Sequence, residues 1–182
     1  MSFSCRQASA SDIDALLAVH RSAFSSDVEA DLVASLLPHA SSHPAQSWVA
    51  EDDRVIVGHV LLTPGVVPRD PELSALLLCP LAVVPDHQNS GVGSLLISAA
   101  LDAAAAGGVQ VVNVFGDPDY YERFGFRSLL PHGPLPPFDV SAKHQRAWQT
   151  LVLADDRRAA ELVEGERIEW ADPLMTPELW EG

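Results

Sequence analysis

One junction constrains this chain more than any other. An apolar run, Leu76–Val84, enters the loop "PDHQNSGVGSLL" (Pro85–Leu96), which passes through Gly91 and Gly93 into a helix-patterned run ending at Ala106. Leu95, Leu96, Ala99 and Leu101 set the helical spacing, and Gly107-Gly108 follow as a stop. The run before the loop reads as a strand buried on both faces. Strand, glycine loop and helix in that order place backbone N–H groups at a helix start, where they have no partner within the helix and attract anions. Glycines there leave room for a phosphate to approach the backbone. The loop contains no Lys or Arg, so any anion site is built from the main chain alone.

The rest of the chain frames that junction. Phe3–Ala8 reads as a strand, and Ser11 as the N-cap of a helix to Phe24. A second helix is predicted over Val28–Leu37, stopped by Pro38, and "ASSHPAQ" is a loop. Ser47–Ala50 and Arg54–Thr63, joined by Glu51-Asp52-Asp53, form a hairpin. Val109–Phe115 is another buried strand. Asp117-Pro118 then starts a helix, with Asp as cap and Pro in the first turn. "LLPHGPLPPFDV" is a surface excursion, Trp148–Leu153 a last strand and "DDRRAAELVEG" a short helix. The order β-α-α-β-β-β-α-β-α-β predicts an α/β domain with a mixed sheet (α+β in its ordering) and helices on both faces. It forms a single domain over 1–182, with a core of about 1–128 and a C-terminal extension of about 129–182.

Composition narrows the partners. The formal charge of −14 repels nucleic acid and anionic membranes, so neither is expected as a partner. It favours cationic or neutral small molecules. No apolar run reaches the roughly 20 residues of a membrane span, and the N-terminus has no signal-like apolar region. Two cysteines, Cys5 and Cys79, fit a reducing, cytoplasmic setting. The histidines show no ligand spacing, so no metal is expected.

A Walker-type site is disfavoured because no Lys-Ser/Thr pair follows the glycines, and a dinucleotide fingerprint because the third glycine is missing. A second cluster, "GDPDYYERFGF" (Gly116–Phe126), follows the next strand. Adjacent Tyr120 and Tyr121 on a helix cannot both face one core. Phe124 and Phe126 read as packed aromatics around a capping glycine.

Together, "LAVVPDHQNSGVGSLL" and "YYERFGF" resemble the GNAT superfamily of N-acetyltransferases, its YhbS-like subgroup in particular. Gln88, Gly91 and Gly93 match the superfamily's [Gln/Arg]-x-x-Gly-x-[Gly/Ala] acetyl-CoA signature, and Tyr121-Glu122 with Gly125-Phe126 match its Tyr-Glu-x-x-Gly-Phe close. "GHVLLTP" (Gly58–Pro64) also favours that subgroup. The order of elements from Phe3 to Phe126 fits the GNAT-like acyl-CoA N-acyltransferase fold.

The resemblance implies an acetyl-CoA-dependent transferase acting on a primary amine of a small molecule or peptide. Acetyl-CoA would be the co-substrate, with the pyrophosphate on Asn89, Ser90, Gly91, Val92, Gly93 and Ser94 beside Gln88. The pantetheine arm would run along Leu81, Ala82 and Val83, as in strand addition. Tyr121 would protonate the leaving thiolate. Two departures stand out. The Asn of many members falls on Val114, and no carboxylate lies in "LSALLLCPLAVV" (Leu73–Val84), which leaves the general base unassigned: Glu29 and His132 are candidates, and a water relaying the proton or an amine arriving neutral would also serve. The competing reading is a non-catalytic acyl-CoA-binding or regulatory module. A homodimer is compatible with the sequence, which does not specify oligomeric state.

Overall fold

The computed structural model describes residues 2–40, 47–153 and 157–180. Among the described residues six strands occur in the order β1 (Ser4–Gln7), β2 (Ser47–Asp52), β3 (Val55–Gly65), β4 (Ala75–Val83), β5 (Val111–Phe115) and β6 (Trp148–Val152), and they form one sheet in that same order. β1, β2 and β3 pair antiparallel, β4 and β5 parallel, and β5 and β6 antiparallel. The parallel pair requires a crossover, supplied by α3 (Val92–Ala106). The other helices are α1 (Ile13–Phe24), α2 (Val28–Ala40), α4 (Pro118–Tyr121) and α5 (Arg157–Val163). The fold is mixed α/β with the element order predicted from sequence.

The chain divides into two compact units, Met1–Leu62 with Cys79–Gly107, and Thr63–Leu78 with Gly108–Gly182. In the first, Leu16, Val33 and Val49 form a buried cluster with Leu17, Leu37 and Ile56 packed on it, joining α1, α2 and the hairpin. Arg6 on β1 donates to Asp12 and Glu51, fixing the start of α1 against β2. Those hydrogen bonds hold the Asp12 carboxyl well below the usual carboxylate range. The β2–β3 turn is tighter than predicted. Asp53 and Arg54 both take positive φ, 48° and 67°, as a two-residue turn that matches strand twist demands.

Two local expectations are corrected, and a third lies outside the described residues. Ser9 rather than Ser11 stands at the helix entry: a 3-10 turn, Ala10–Asp12, precedes α1, and the Asp12 carboxylate accepts from the Ser9 N–H at 2.7 Å. Pro38 lies inside α2, near its end, where proline's helical φ fits and its missing N–H forfeits a single ladder bond. The loop predicted over "ASSHPAQ" falls largely on 41–46, outside the described residues.

In the second unit the Pro-rich segment is no simple surface excursion. Pro134, Pro136 and Pro137 are buried. The Trp148 indole N–H donates to the Pro134 carbonyl at 2.7 Å, and Arg167 donates to that of Pro136. Proline can be buried this way because it carries no N–H to satisfy. Trp148, Trp170 and Trp180 are buried, with Trp180 against Phe115 and Trp148.

Candidate active site

β4 pairs with β5 only over Ala75–Leu78, in register with Val111–Val114. Its remaining residues, including Leu81, Ala82 and Val83, lie beyond that register. Ala82 is buried while Leu81 and Val83 are half-buried. The chain then makes a 3-10 turn, Pro85–His87, and a tight turn through Gln88, Asn89 and Ser90 into α3.

Two residues in this loop are left-handed: Asn89 at φ 59° and Gly91 at φ 95°. Asparagine is among the few side chains that tolerate that region, and glycine is the default there. Gly91 is the N-cap of α3, and a Cβ built on it would meet nothing within 4 Å. Its requirement is therefore conformational. Gly93 is already helical, so its role differs from that of Gly91.

The first α-helical bond of α3 runs from the Leu95 N–H to the Gly91 carbonyl at 3.0 Å. The N–H groups of Val92, Gly93 and Ser94 precede it and have no partner within the helix. The first turn holds no acidic residue to compete with an anion. Gln88, Asn89, Ser90 and Gly91 are exposed. An anion there would meet main-chain donors and the positive end of a 15-residue helix.

Several contacts hold this cradle in shape. The Gln88 side-chain amide donates to the Val83 carbonyl at 3.1 Å, so this signature residue ties the loop back to the strand. Ser90 Oγ donates to the His87 carbonyl. His87 Nε2 pairs with Asp52 Oδ2 at 3.1 Å, and Phe3 packs edge-on against the His87 ring. Val84 N–H donates to the Val57 carbonyl at 3.0 Å. Gly58 lets the first turn of α3 sit close to β3. A Cβ there would lie 2.8 Å from Val92 Cγ1, 2.9 Å from Leu96 Cδ1 and 3.3 Å from the Ala82 carbonyl oxygen. His87, Asp52 and Gly58 escape sequence reading because their partners are distant in the chain. The one sequence hint was glycine inside a strand pattern, which marks close backbone approach.

The first unit thus brings together Leu81–Val83 and Gln88–Ser94. Tyr121 belongs to the second unit. Asp117 caps α4 by accepting from the Asp119 N–H at 3.0 Å, and Pro118 fills the first turn, as predicted. Of the tyrosine pair, Tyr121 is the buried one. Its ring packs T-shaped against Phe126 at 5.8 Å, and a Cβ on Gly116 would lie 2.5 Å from its Cε2. Tyr120 is half-buried beneath Arg123, whose guanidinium sits 4.5 Å from the ring centroid. Gly125, at φ 92°, closes the turn between Phe124 and Phe126.

The two base candidates have structural partners. Ser26 Oγ donates to Glu29 Oε2 at 2.6 Å and accepts from the Val28 N–H, so Glu29 helps cap α2. His132 is exposed, with Nδ1 3.7 Å from Glu164 Oε1. Val114 is buried on β5, and the neighbouring Asn113 is spent inside the sheet, donating to Thr150 Oγ1 at 2.8 Å. Among the described residues no group of three or more metal-ligating side chains could hold an ion, and no helix is long and apolar enough to cross a membrane.

A strand that outruns its neighbour and ends in a main-chain anion cradle fits the acyl-CoA transferase architecture that the sequence resembles. Comparison with known proteins agrees. The GNAT acetyltransferase domain family matches residues 43–128. The uncharacterized N-acetyltransferase YjhQ of Escherichia coli K12 is 35% identical over 145 residues, covering 79% of this chain and 80% of that protein. YhbS of the same strain is 35% identical over 148 residues, covering 79% and 81%. The crystal structure of E. coli YhbS in complex with CoA superposes with a TM-score of 0.82 at 28% identity, covering 96% of this chain and 92% of that one. A GNAT family acetyltransferase from Brucella melitensis, solved with acetyl-CoA, shares the fold with a TM-score of 0.71 at 22% identity, over 94% and 97%. The chain belongs to the GNAT family of acetyltransferases, among its YhbS-like and YjhQ-like members.

Proposed function

We propose that this protein transfers an acetyl group from acetyl-CoA to a primary amine of a small molecule or peptide. The observation that carries the reading is the cradle: the N–H groups of Val92, Gly93 and Ser94, which have no partner within α3, behind left-handed Asn89 and Gly91. It suits the pyrophosphate of CoA, the ligand held by the YhbS relative. The pantetheine arm lies along Leu81–Val83 by strand addition, with main-chain N–H near Val83 polarising the thioester carbonyl. The neutral amine nitrogen attacks that carbon, the C–S bond breaks as the tetrahedral intermediate collapses, and the nitrogen gives up its proton to water, from which the Tyr121 phenolate is in turn reprotonated. Tyr121 supplies the proton that the departing thiolate takes up. A phenol of pKa ~10 can do this where it is held close and dry. The charge of −14 favours a cationic acceptor. Free Cys5 and Cys79 fit the cytoplasm.

Calorimetric titration with acetyl-CoA, followed by thiol-release assays over a panel of primary amines, tests the reading. Saturable binding with turnover of at least one amine is the expected result. Binding without turnover of any amine makes the protein a CoA-binding module, a reading favoured by the absence of a carboxylate on β4.

A further inference from the structure

The first unit buries two histidines that acetyl transfer as described does not use. His20 lies on α1 and His59 on β3, both at 0% exposure. His20 Nε2 and His59 Nδ1 are 2.7 Å apart, and His59 Nε2 is 3.0 Å from Ser47 Oγ, on half-buried Ser47 at the head of β2. Desolvation depresses both rings, opposed at His20 by the charge of Glu29 and reinforced at His59 by His20. Both are neutral at pH 7. Among the described residues His20 Nδ1 has no hydrogen-bond partner.

Two proton arrangements fit the distances. In one, His20 Nε2–H donates to His59 Nδ1, His59 Nε2–H donates to Ser47 Oγ, and His20 Nδ1 is a bare lone pair. In the other every proton is shifted, and His20 Nδ1–H is a buried donor without an acceptor. Buried orphan N–H groups are the rarer defect, which favours the first. The chain then runs one way, from a buried, unpartnered acceptor at His20 to the half-buried Ser47 hydroxyl.

That acceptor lies in a telling neighbourhood. The charge of Glu29 is felt at both His20 and the Cys79 thiol, and Cys79 precedes Pro80 and Leu81 on the strand assigned to the cofactor arm. Phe24 lies parallel to the His20 ring at 6.2 Å between centroids and is 41% exposed, with Val28 at 61%.

We infer that the chain Ser47–His59–His20 is a proton relay that deprotonates the acceptor amine; this rests on the acetyl-transfer reading above. The ammonium R–NH3+ gives a proton to His20 Nδ1 through an intervening water. The Nε2 proton of His20 passes to His59 Nδ1, that of His59 Nε2 passes to Ser47 Oγ, and the Ser47 hydroxyl proton leaves to solvent. The amine is left neutral with its lone pair free. Between turnovers water at both ends runs the shift backwards and restores the first arrangement. The relay explains how the family's chemistry proceeds with no carboxylate on β4. His20 and His59 act as positioning residues for the proton rather than as groups bonded to the thioester.

His20→Gln tests it, because the Gln amide can occupy the Nε2 position and keep a partner for His59 while removing the second ring nitrogen. The acceptor is the amine that wild-type protein turns over fastest among spermidine, benzylamine and a peptide amino terminus. At pH 7 kcat should fall about 100-fold, the scale of general-base catalysis. Acetyl-CoA affinity and Tm should stay unchanged, and the rate should recover as pH rises and the amine arrives neutral. An unchanged kcat, or a loss that high pH does not restore, overturns the relay. Should the variant not fold, imidazole 15N NMR of wild-type protein decides. A bare Nδ1 on His20 with Nε2–H on His59 supports the relay; Nδ1–H on His20 overturns it and leaves acetyl transfer standing. Failure of wild-type protein to acetylate any amine overturns the acetyl-transfer reading and the relay with it.

Discussion

Alanine at Gly58 should separate the two jobs of the α3–β3 contact, stability and cradle geometry. The added Cβ would stand 2.8 Å from Val92 Cγ1 and 2.9 Å from Leu96 Cδ1. Real Cβ atoms do not approach that closely, so α3 must shift by several tenths of an ångström. The Ala82 carbonyl oxygen, 3.3 Å away on the backbone of β4, limits movement in the other direction. Overpacking of this kind costs about 1–3 kcal/mol. For a chain of this size that lowers Tm by roughly 2–12 °C. Val92 opens the helix that carries the cradle, so the N–H groups of Val92, Gly93 and Ser94 should move with it. Losing the alignment of one charge-assisted hydrogen bond would weaken acetyl-CoA binding about tenfold, or ~1.4 kcal/mol. Gly65→Ala is the matched control: its Cβ would lie 2.5 Å from Trp170, and both residues belong to the second unit. Thermal unfolding and calorimetric titration of both variants give the answer. If Gly65→Ala weakens acetyl-CoA as much as Gly58→Ala, or Gly58→Ala lowers Tm with affinity intact, α3 placement does not govern the cradle.

Three other outcomes follow from the same geometry. Gly93→Val should crowd the cradle and weaken acetyl-CoA at least tenfold, whereas Asn89→Gly, which keeps the left-handed backbone and removes only a side chain, should change affinity less than about twofold; equal effects in titration would mean that the loop does not cradle phosphate. Tyr121→Phe should lower kcat for thiol release by about 100-fold or more with little change in acetyl-CoA affinity, and wild-type turnover would remove Tyr121 as the acid. Burial lowers His20 to about 4 and His59 to about 3. Both therefore stay neutral in the folded state as pH falls from 6.5 towards 4, while the unfolded chain binds protons. Stability should be fully present above about pH 6.5 and decline by roughly 1–3 kcal/mol per pH unit below it. Urea titrations at pH 7.5, 6 and 5 should show the slope, and a flat profile would mean that the histidines are not buried as neutral rings.

What sequence could convey here was local. The apolar run Leu76–Val84, the glycines of the loop and the Gly107-Gly108 stop each act within a few residues, and β4, α3 and β5 follow from them with boundaries shifted by one or two positions. Asp117-Pro118 worked for the same reason: a side chain two residues away satisfies the helix start. The cap at Ser9 was missed because its partner Asp12 is also held by Arg6 from β1, so the helix entry is set by a strand as much as by local propensity. The Pro-rich segment was misjudged as a surface excursion because its burial depends on Trp148 and Arg167, whose side chains find its carbonyls only after the chain has folded back.

The candidate site divides along the same line. A main-chain cradle is legible because glycines and a helix start are its whole substance, and chain order places Leu81–Val83 beside it. A proton path is not legible, because histidines at 20 and 59 show no motif spacing. One period-based signal existed. His20 falls four residues after Leu16 and four before Phe24, on the face that α1 buries, and His59 lies in the wholly buried stretch of β3. A titratable ring on an apolar face is either a packed core residue or a buried functional group, and spacing alone cannot choose between them. The structure adds that two such rings meet at 2.7 Å and leave one nitrogen without a partner among the described residues. Packing alone would favour two apolar side chains there, since an unsatisfied buried nitrogen costs about 1–3 kcal/mol. Function is the natural reason to retain that cost, and in this chain the function in need of a proton acceptor is the one whose usual strand carboxylate is absent.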